Sequence, residues 1–137
     1  MQIDSKKFAE FVKKERNKIR GIHEQSISAY PAEYYKNHRC FSTFNGLFAI
    51  SPEGEIESLI KYRNKNGFDL IIEAQQAGGK FLHCYTGKLP SIYRNAGFIT
   101  KEIMPFDSNL APEGWDTNKL GTPGYARMEL AYDESIF

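Results

Sequence analysis

Apolar residues recur along this chain with two different spacings, and the switches between them mark the elements. Asp4 or Ser5 can cap a first helix on which Phe8, Phe11, Val12, Ile19 and Ile22 recur at near-helical spacing, with Gly21 placed to end it. Tyr30-Pro31 is an irregular passage, and 32–37 suits a short second helical turn. The spacing then shortens to that of strands: 39–44 alternates loosely, 46–51 is apolar, and 55–62 alternates well. Asn45-Gly46 is a two-residue hairpin signal because both positions tolerate positive φ, and Pro52-Glu53-Gly54 turns the chain again. The pattern predicts an antiparallel meander of three strands.

Beyond Arg63-Asn64-Lys65-Asn66-Gly67 the period is helical again. Phe68, Leu70, Ile71, Ile72, Ala74 and Ala77 supply one apolar face, which Gly78-Gly79 terminates. A strand over 81–85, a helix over 89–95 and a strand over 98–105 follow. A loop rich in Pro, Gly and Asn (107–124) leads to a closing strand over 126–132. A meander feeding into βαβ predicts an α/β (α+β) sheet of mixed direction. The expected organisation is one domain, with a helical amino-terminal part (1–37) and a sheet core (38–132).

Composition narrows the function classes. A chain of 137 residues suits a single domain. With 18 basic and 17 acidic residues it has no global pull towards nucleic acid or an anionic membrane. Aromatic residues make up 14%, enough for a well-filled core or an aromatic-lined cleft. No segment approaches the ~20 apolar residues that span a bilayer. The opening MQIDSKKFAEF lacks the apolar run of a secretory signal. Two cysteines form no spaced framework, which favours a reduced, cytoplasmic setting. Lys6, Lys7, Lys13, Lys14, Arg16, Lys18 and Arg20 crowd the first helix, either as a solvated face or as a contact for an acidic partner.

Four groups of residues can carry chemistry. The junction from Tyr62 to Phe68 runs from a strand through a basic loop into a helix, so free backbone amides and the helix dipole form an anion site. Arg63 and Lys65 add charge there, and Gly67 allows close approach. Tyr93 lies just past a strand end and can protonate a leaving group. Glu55 and Glu57, two apart on a strand, share a face, where either can take a proton from an amine. Trp115 and Asp116 in the long loop, with Asp107 and Tyr125 nearby, form a pocket wall or pin the loop through Pro112. His38, Cys40, His83 and Cys84 do not make a metal site, since alternation lets at most three of them converge. A Cys–His nucleophile pair lacks a third, orienting group.

In this order the pieces resemble the GNAT N-acetyltransferase superfamily over roughly residues 38–132. The resemblance rests on the hairpin strands, on Glu55-Ile56-Glu57-Ser58-Leu59-Ile60, and on Tyr93-Arg94-Asn95-Ala96-Gly97-Phe98, which is similar to the family's tyrosine, three residues, Gly-Phe signature. Gly79-Lys80-Phe81-Leu82 is similar to the run into its fifth strand. Small divergent members of this kind are frequent in bacteria and their phages. The resemblance implies a mixed, mostly antiparallel central sheet with flanking helices, whose fourth and fifth strands part around the pantetheine arm of acetyl-CoA. Ile60, Lys61 and Tyr62 would pair with that arm, and backbone N–H groups near Ile60 would polarise the thioester carbonyl. Arg63, Lys65, Asn66, Gly67 and Phe68 would hold the pyrophosphate. Asn66 stands at the family loop's first glycine, where asparagine can supply the left-handed backbone, and Phe68 stands at its second. No family strand is recognisable ahead of the first helix.

The implied activity is acetyl transfer from acetyl-CoA to an amine, small molecule or protein, without a metal. Glu57 or Glu55 would serve as base, Tyr93 as acid, and Trp115 and Asp116 would touch the acceptor. A homodimer is compatible with this reading; a membrane or nucleic-acid partner is not expected. The same residues also allow a catalytically inactive protein of this fold that docks on a partner protein.

Overall fold

The computed structural model describes residues 1–18, 29–86, 89–109, 111 and 115–131, without the side chains of residues 119 and 120. Expectations that involve Ile19, Arg20, Gly21, Ile22, Gly87, Lys88, Pro112 and Tyr132 lie outside the described residues.

Strand β1 (Gln2–Ile3) precedes the first helix and pairs antiparallel with β2 (Arg39–Ser42), Ile3 facing Cys40. This corrects the expectation of no strand there; two residues are too short to show a period. Helix α1 (Ser5–Arg16) is capped by Asp4, whose Oδ1 accepts the Lys7 N–H at 2.7 Å. It buries Phe8 and Val12 and stops at Asn17, short of the expected end. Lys13 to Lys18 contains no apolar residue to dock another turn, and helices are held mainly by such docking. Lys13, Lys14 and Arg16 complement the dipole in the last turn. Ala32–Tyr35 forms a 3₁₀ turn that buries the Tyr35 ring edge-on to Phe8, with centroids 4.9 Å apart.

The meander is β2, β3 (Gly46–Ile50) and β4 (Ile56–Lys61), all antiparallel. The hairpin loop is displaced by one residue from the expected Asn45-Gly46. Ser42 faces Leu47, so Phe44 and Asn45 form the loop, and neither has positive φ. The Thr43 hydroxyl decides this by accepting the N–H groups of Asn45 at 3.1 Å and Gly46 at 3.3 Å. Glu73 then ties the loop to the next helix, accepting from Thr43 Oγ1 at 2.9 Å and Asn45 Nδ2 at 3.1 Å.

Helix α2 (Gly67–Gln76) ends in a Schellman motif: Gly78, at φ 102°, donates to Gln75 O at 3.0 Å, and Gly79 donates to Ala74 O at 2.9 Å. Then come β5 (Phe81–Tyr85), α3 (Leu89–Asn95), β6 (Phe98–Met104), a four-residue α4 (Thr117–Leu120) within the long loop, and β7 (Tyr125–Leu130). The strands form one sheet in the order β1-β2-β3-β4 and another in the order β5-β7-β6, every pair antiparallel. A parallel bridge between Glu55 and Phe81 joins them. The fold is thus mixed α/β, mostly antiparallel, with flanking helices.

Two apolar clusters lie on opposite faces of this layer. Phe8, Val12, Tyr35, Cys40, Leu47, Ala49 and Ile60 pack under α1, while Phe48, Ile50, Ile56, Leu70, Ile71, Leu82, Phe98 and Met128 pack under α2 and α3. Each fully buried aliphatic side chain contributes about 1.5–3 kcal/mol, so β4, which supplies residues to both clusters, is firmly held. Among the described residues no helix is long and apolar enough to cross a membrane.

Candidate functional site

The site begins where β4 and β5 part. They meet at Glu55 and Phe81, and among the described residues no further pairing joins them. The cause lies in β4. Glu57 faces Ala49 and Ile60 faces Leu47, so Ser58 and Leu59 together oppose Phe48 in a bulge. Ser58 takes φ 52°, a left-handed value that costs a non-glycine residue about 1–2 kcal/mol. Tyr35, buried beneath α1, offsets this through a 2.7 Å hydrogen bond between its hydroxyl and Ser58 Oγ. The bulged strand bends away from β5 and opens a gap.

The bulge also decides which backbone groups line that gap. Tyr62 donates its N–H to Asn45 O at 2.9 Å, so alternation turns the Ile60 N–H towards β3 as well and directs that of Lys61 into the gap. The Ile60 N–H is therefore turned away from the gap, and the Lys61 N–H faces it.

The loop after β4 departs from expectation at one residue. Asn64, not Asn66, takes the left-handed backbone, at φ 63°. Asn66 is extended and caps α2, its Oδ1 accepting the N–H of Phe68 at 2.8 Å and of Asp69 at 3.3 Å. Two amides expected to face an anion are thus engaged by a side chain, because asparagine satisfies the first turn that glycine would leave open. The Phe68 ring is exposed. Gly67 keeps open space: an added Cβ would meet Lys61 Cδ at 3.7 Å, an ordinary contact. Lys65 Nζ sits 3.3 Å from the centroid of the exposed Phe44 ring, and Arg63 is exposed.

Tyr93 lies on the α2–α3 side. Its ring packs edge-on to Phe98, with centroids 6.2 Å apart. Burial, and secondarily the neighbouring Cys84 thiol, push the phenol pKa well above its ordinary value. The hydroxyl has no partner among the described residues. A phenol so placed keeps its proton at neutral pH and can release it to a strong base.

Glu55 and Glu57 lie on the opposite face, flanking the buried Ile56. Glu57 accepts hydrogen bonds from the Tyr34 hydroxyl and from His38 Nε2. His38 Nδ1 is buried without a partner among the described residues, so the ring proton belongs on Nε2, facing the carboxylate. Burial, then the hydrogen bond to Glu57, raise the Tyr34 phenol pKa strongly. Glu55 pairs with His83 Nδ1 at 2.8 Å, and the His83 ring stacks on Tyr125, with centroids 5.4 Å apart and planes at 7°. Tyr85 continues the row, 5.3 Å from Tyr125, and Trp115 lies 5.0 Å from Tyr85. The tryptophan Nε1–H donates to Gly121 O at 3.0 Å, so it both walls this face and fastens its loop. Asp116 accepts the Asn118 N–H at 3.0 Å, holding the turn into α4.

Tyr34, His38, His83 and Tyr125 thus join the two carboxylates, although the sequence had offered the histidines only as metal ligands or as half of a Cys–His pair. The legible signal was strand register: Cys40, Ala49 and Glu57 stand in one row across the meander, so residues just before β2 come close to the start of β4. Among the described residues no group of three or more metal-ligating side chains converges.

No family model matches this chain, and no curated protein matches it. Among solved structures, it is similar to a Bacillus subtilis acetyltransferase in complex with CoA. The identity is 20%, the TM-score is 0.46, and the similarity covers 74% of this chain and 81% of that one.

Proposed function

We propose that this protein transfers an acetyl group from acetyl-CoA to an amine. One observation carries the reading: β4 and β5 part beyond the Glu55–Phe81 bridge, with the Glu57 carboxylate on one face of the layer and the protonated Tyr93 phenol on the other. That is the arrangement the resemblance to GNAT N-acetyltransferases implies, with Tyr93 opening the Tyr93 to Phe98 signature. The Lys61 N–H and the open space at Gly67 suit the pantetheine arm and the diphosphate. When bound, acetyl-CoA supplies the activated acyl group. Glu57, oriented by Tyr34 and His38, takes a proton from the amine directly or through water. The amine nitrogen bonds to the acyl carbon as the carbon–sulfur bond breaks, and Tyr93 gives its proton to the departing sulfur. Lys61 N–H donates to the carbonyl oxygen as charge develops there.

The engaged amides at Phe68 and Asp69 favour a second reading, a catalytically inactive protein of the same shape that docks on a partner. Calorimetry with acetyl-CoA separates the two. Binding in the micromolar range, with release of free thiol when an amine is added, supports the transferase. No binding up to millimolar concentrations would leave only the docking protein.

A further inference from the structure

The face carrying Glu55 and Glu57 has more structure than a single proton acceptor requires. Each carboxylate is fixed by an imidazole from a different element, His38 before β2 and His83 on β5. A carboxylate has about four acceptor sites, so each keeps capacity for a ligand's N–H groups after these bonds are made. Being two residues apart on a strand, their stems stand ~6.6 Å apart, a length that an alkyl chain of about four carbons between two nitrogens also spans. Aromatic faces flank both positions. Tyr30 and Tyr34 stack with centroids 3.9 Å apart beside Glu57, and His83, Tyr125, Tyr85 and Trp115 run on from Glu55. Such rings attract cations.

Charge on this face points the same way. His83 faces Arg127 and Phe81 faces Glu129 across β5 and β7, which places Arg127 and Glu129 on this face too. Arg127 is held by Glu129 at 3.2 Å and lies 4.1 Å over the Phe81 ring. Glu55, Glu57 and Glu129 therefore share this face with one guanidinium, which Glu129 already engages. A ligand carrying its own carboxylate is repelled, and one carrying two ammonium groups is attracted at both ends.

We infer that the acceptor is a short alkyl diamine, with Glu55 holding the distal ammonium while the amine at Glu57 reacts. This inference rests on the transferase reading for its chemistry but not for its binding, which needs no acetyl-CoA.

The test is calorimetry at pH 7.5 with butane-1,4-diamine, butylamine and 4-aminobutanoate, on the wild type and on Glu55→Gln, without acetyl-CoA. A charge-assisted hydrogen bond at the distal end predicts that the diamine binds the wild type at least about tenfold more tightly than butylamine. The aminobutanoate should bind more weakly than either. Glu55→Gln should bring the diamine to within about threefold of butylamine. Equal affinity of diamine and monoamine for the wild type, or no binding of any of the three, overturns the inference without needing the variant. A preference that survives in a folded Glu55→Gln overturns it as well. Diamine binding in a protein that never binds acetyl-CoA would sink the transferase reading and overturn the acceptor role with it, leaving only a two-ended diamine site. Equally fast acetylation of butylamine and diamine would overturn the inference and leave the transferase reading standing.

Discussion

Replacing Asn66 with glycine gives a direct test of where the diphosphate rests. In the native loop Asn66 Oδ1 accepts the Phe68 and Asp69 amides at 2.8 and 3.3 Å, so a phosphate at the mouth of α2 must compete with the protein's own cap. Asn66 is extended, with φ −99° and ψ 117°, a conformation glycine adopts freely. Exchanging an asparagine cap for glycine costs a few tenths of a kcal/mol of stability. Two freed amides donating to a charged phosphate would each contribute about 1.5–3 kcal/mol. Some of this is already available in the wild type, since the asparagine can swing aside at the cost of its cap. A net gain of about 1.5–2 kcal/mol, or roughly 10- to 30-fold in acetyl-CoA affinity, is therefore expected. Calorimetry on both proteins reads the affinity, and urea unfolding reads the stability. If the glycine variant is folded and binds acetyl-CoA no more tightly than the wild type, the phosphates do not rest on those amides.

Three further outcomes follow from the same geometry. Gly67→Ala should keep or slightly raise stability, because the new Cβ meets only Lys61 Cδ at 3.7 Å; acetyl-CoA affinity should fall if the diphosphate lies against that residue, and unchanged affinity would remove Gly67 from the site. Tyr93→Phe should lower turnover about 10²- to 10⁴-fold with little change in acetyl-CoA affinity, and unaltered turnover would remove the phenol from the reaction. Burial pushes the Cys84 thiol up to about 11, and burial followed by the Asp4 charge does the same for Cys40, against 9.0 in a free thiol. Alkylation at pH 7.5 should thus run about 100-fold slower than for a free cysteine. Because the folded state holds these protons more tightly, each thiol's contribution is complete below pH 9 and is lost as pH rises towards 11. That amounts to about 3 kcal/mol per thiol. Urea unfolding at pH 8 and 10.5 should show a smaller fall in Cys84→Ala than in the wild type, and equal falls would count against a raised thiol pKa.

The order and kind of the elements were legible in the sequence, because helical and strand periods, caps and glycine stops are local. Asp4 and Gly78-Gly79 mark their helix ends in the structure where the chain marks them in sequence. The hairpin was legible too, but its loop was not, since the Thr43 hydroxyl and Glu73 on a distant helix outweighed the Asn-Gly signal. Tyr93, Glu55 and Glu57 could be picked out because their spacing from strand ends is a local quantity. Their partners could not: His38 meets Glu57 across 19 residues and His83 meets Glu55 across 28, and neither pairing leaves a trace in a periodic pattern. Both depend on strand register and on a single bulge at Ser58, where a left-handed backbone is sustained by the buried Tyr35 beneath α1. The chain by itself set which segments are helices and strands and which residue types stand near a strand end. Tertiary structure alone decided that β4 and β5 part, which amides remain free, and which carboxylate meets which imidazole, because a one-residue shift in a strand reverses the face of every side chain beyond it.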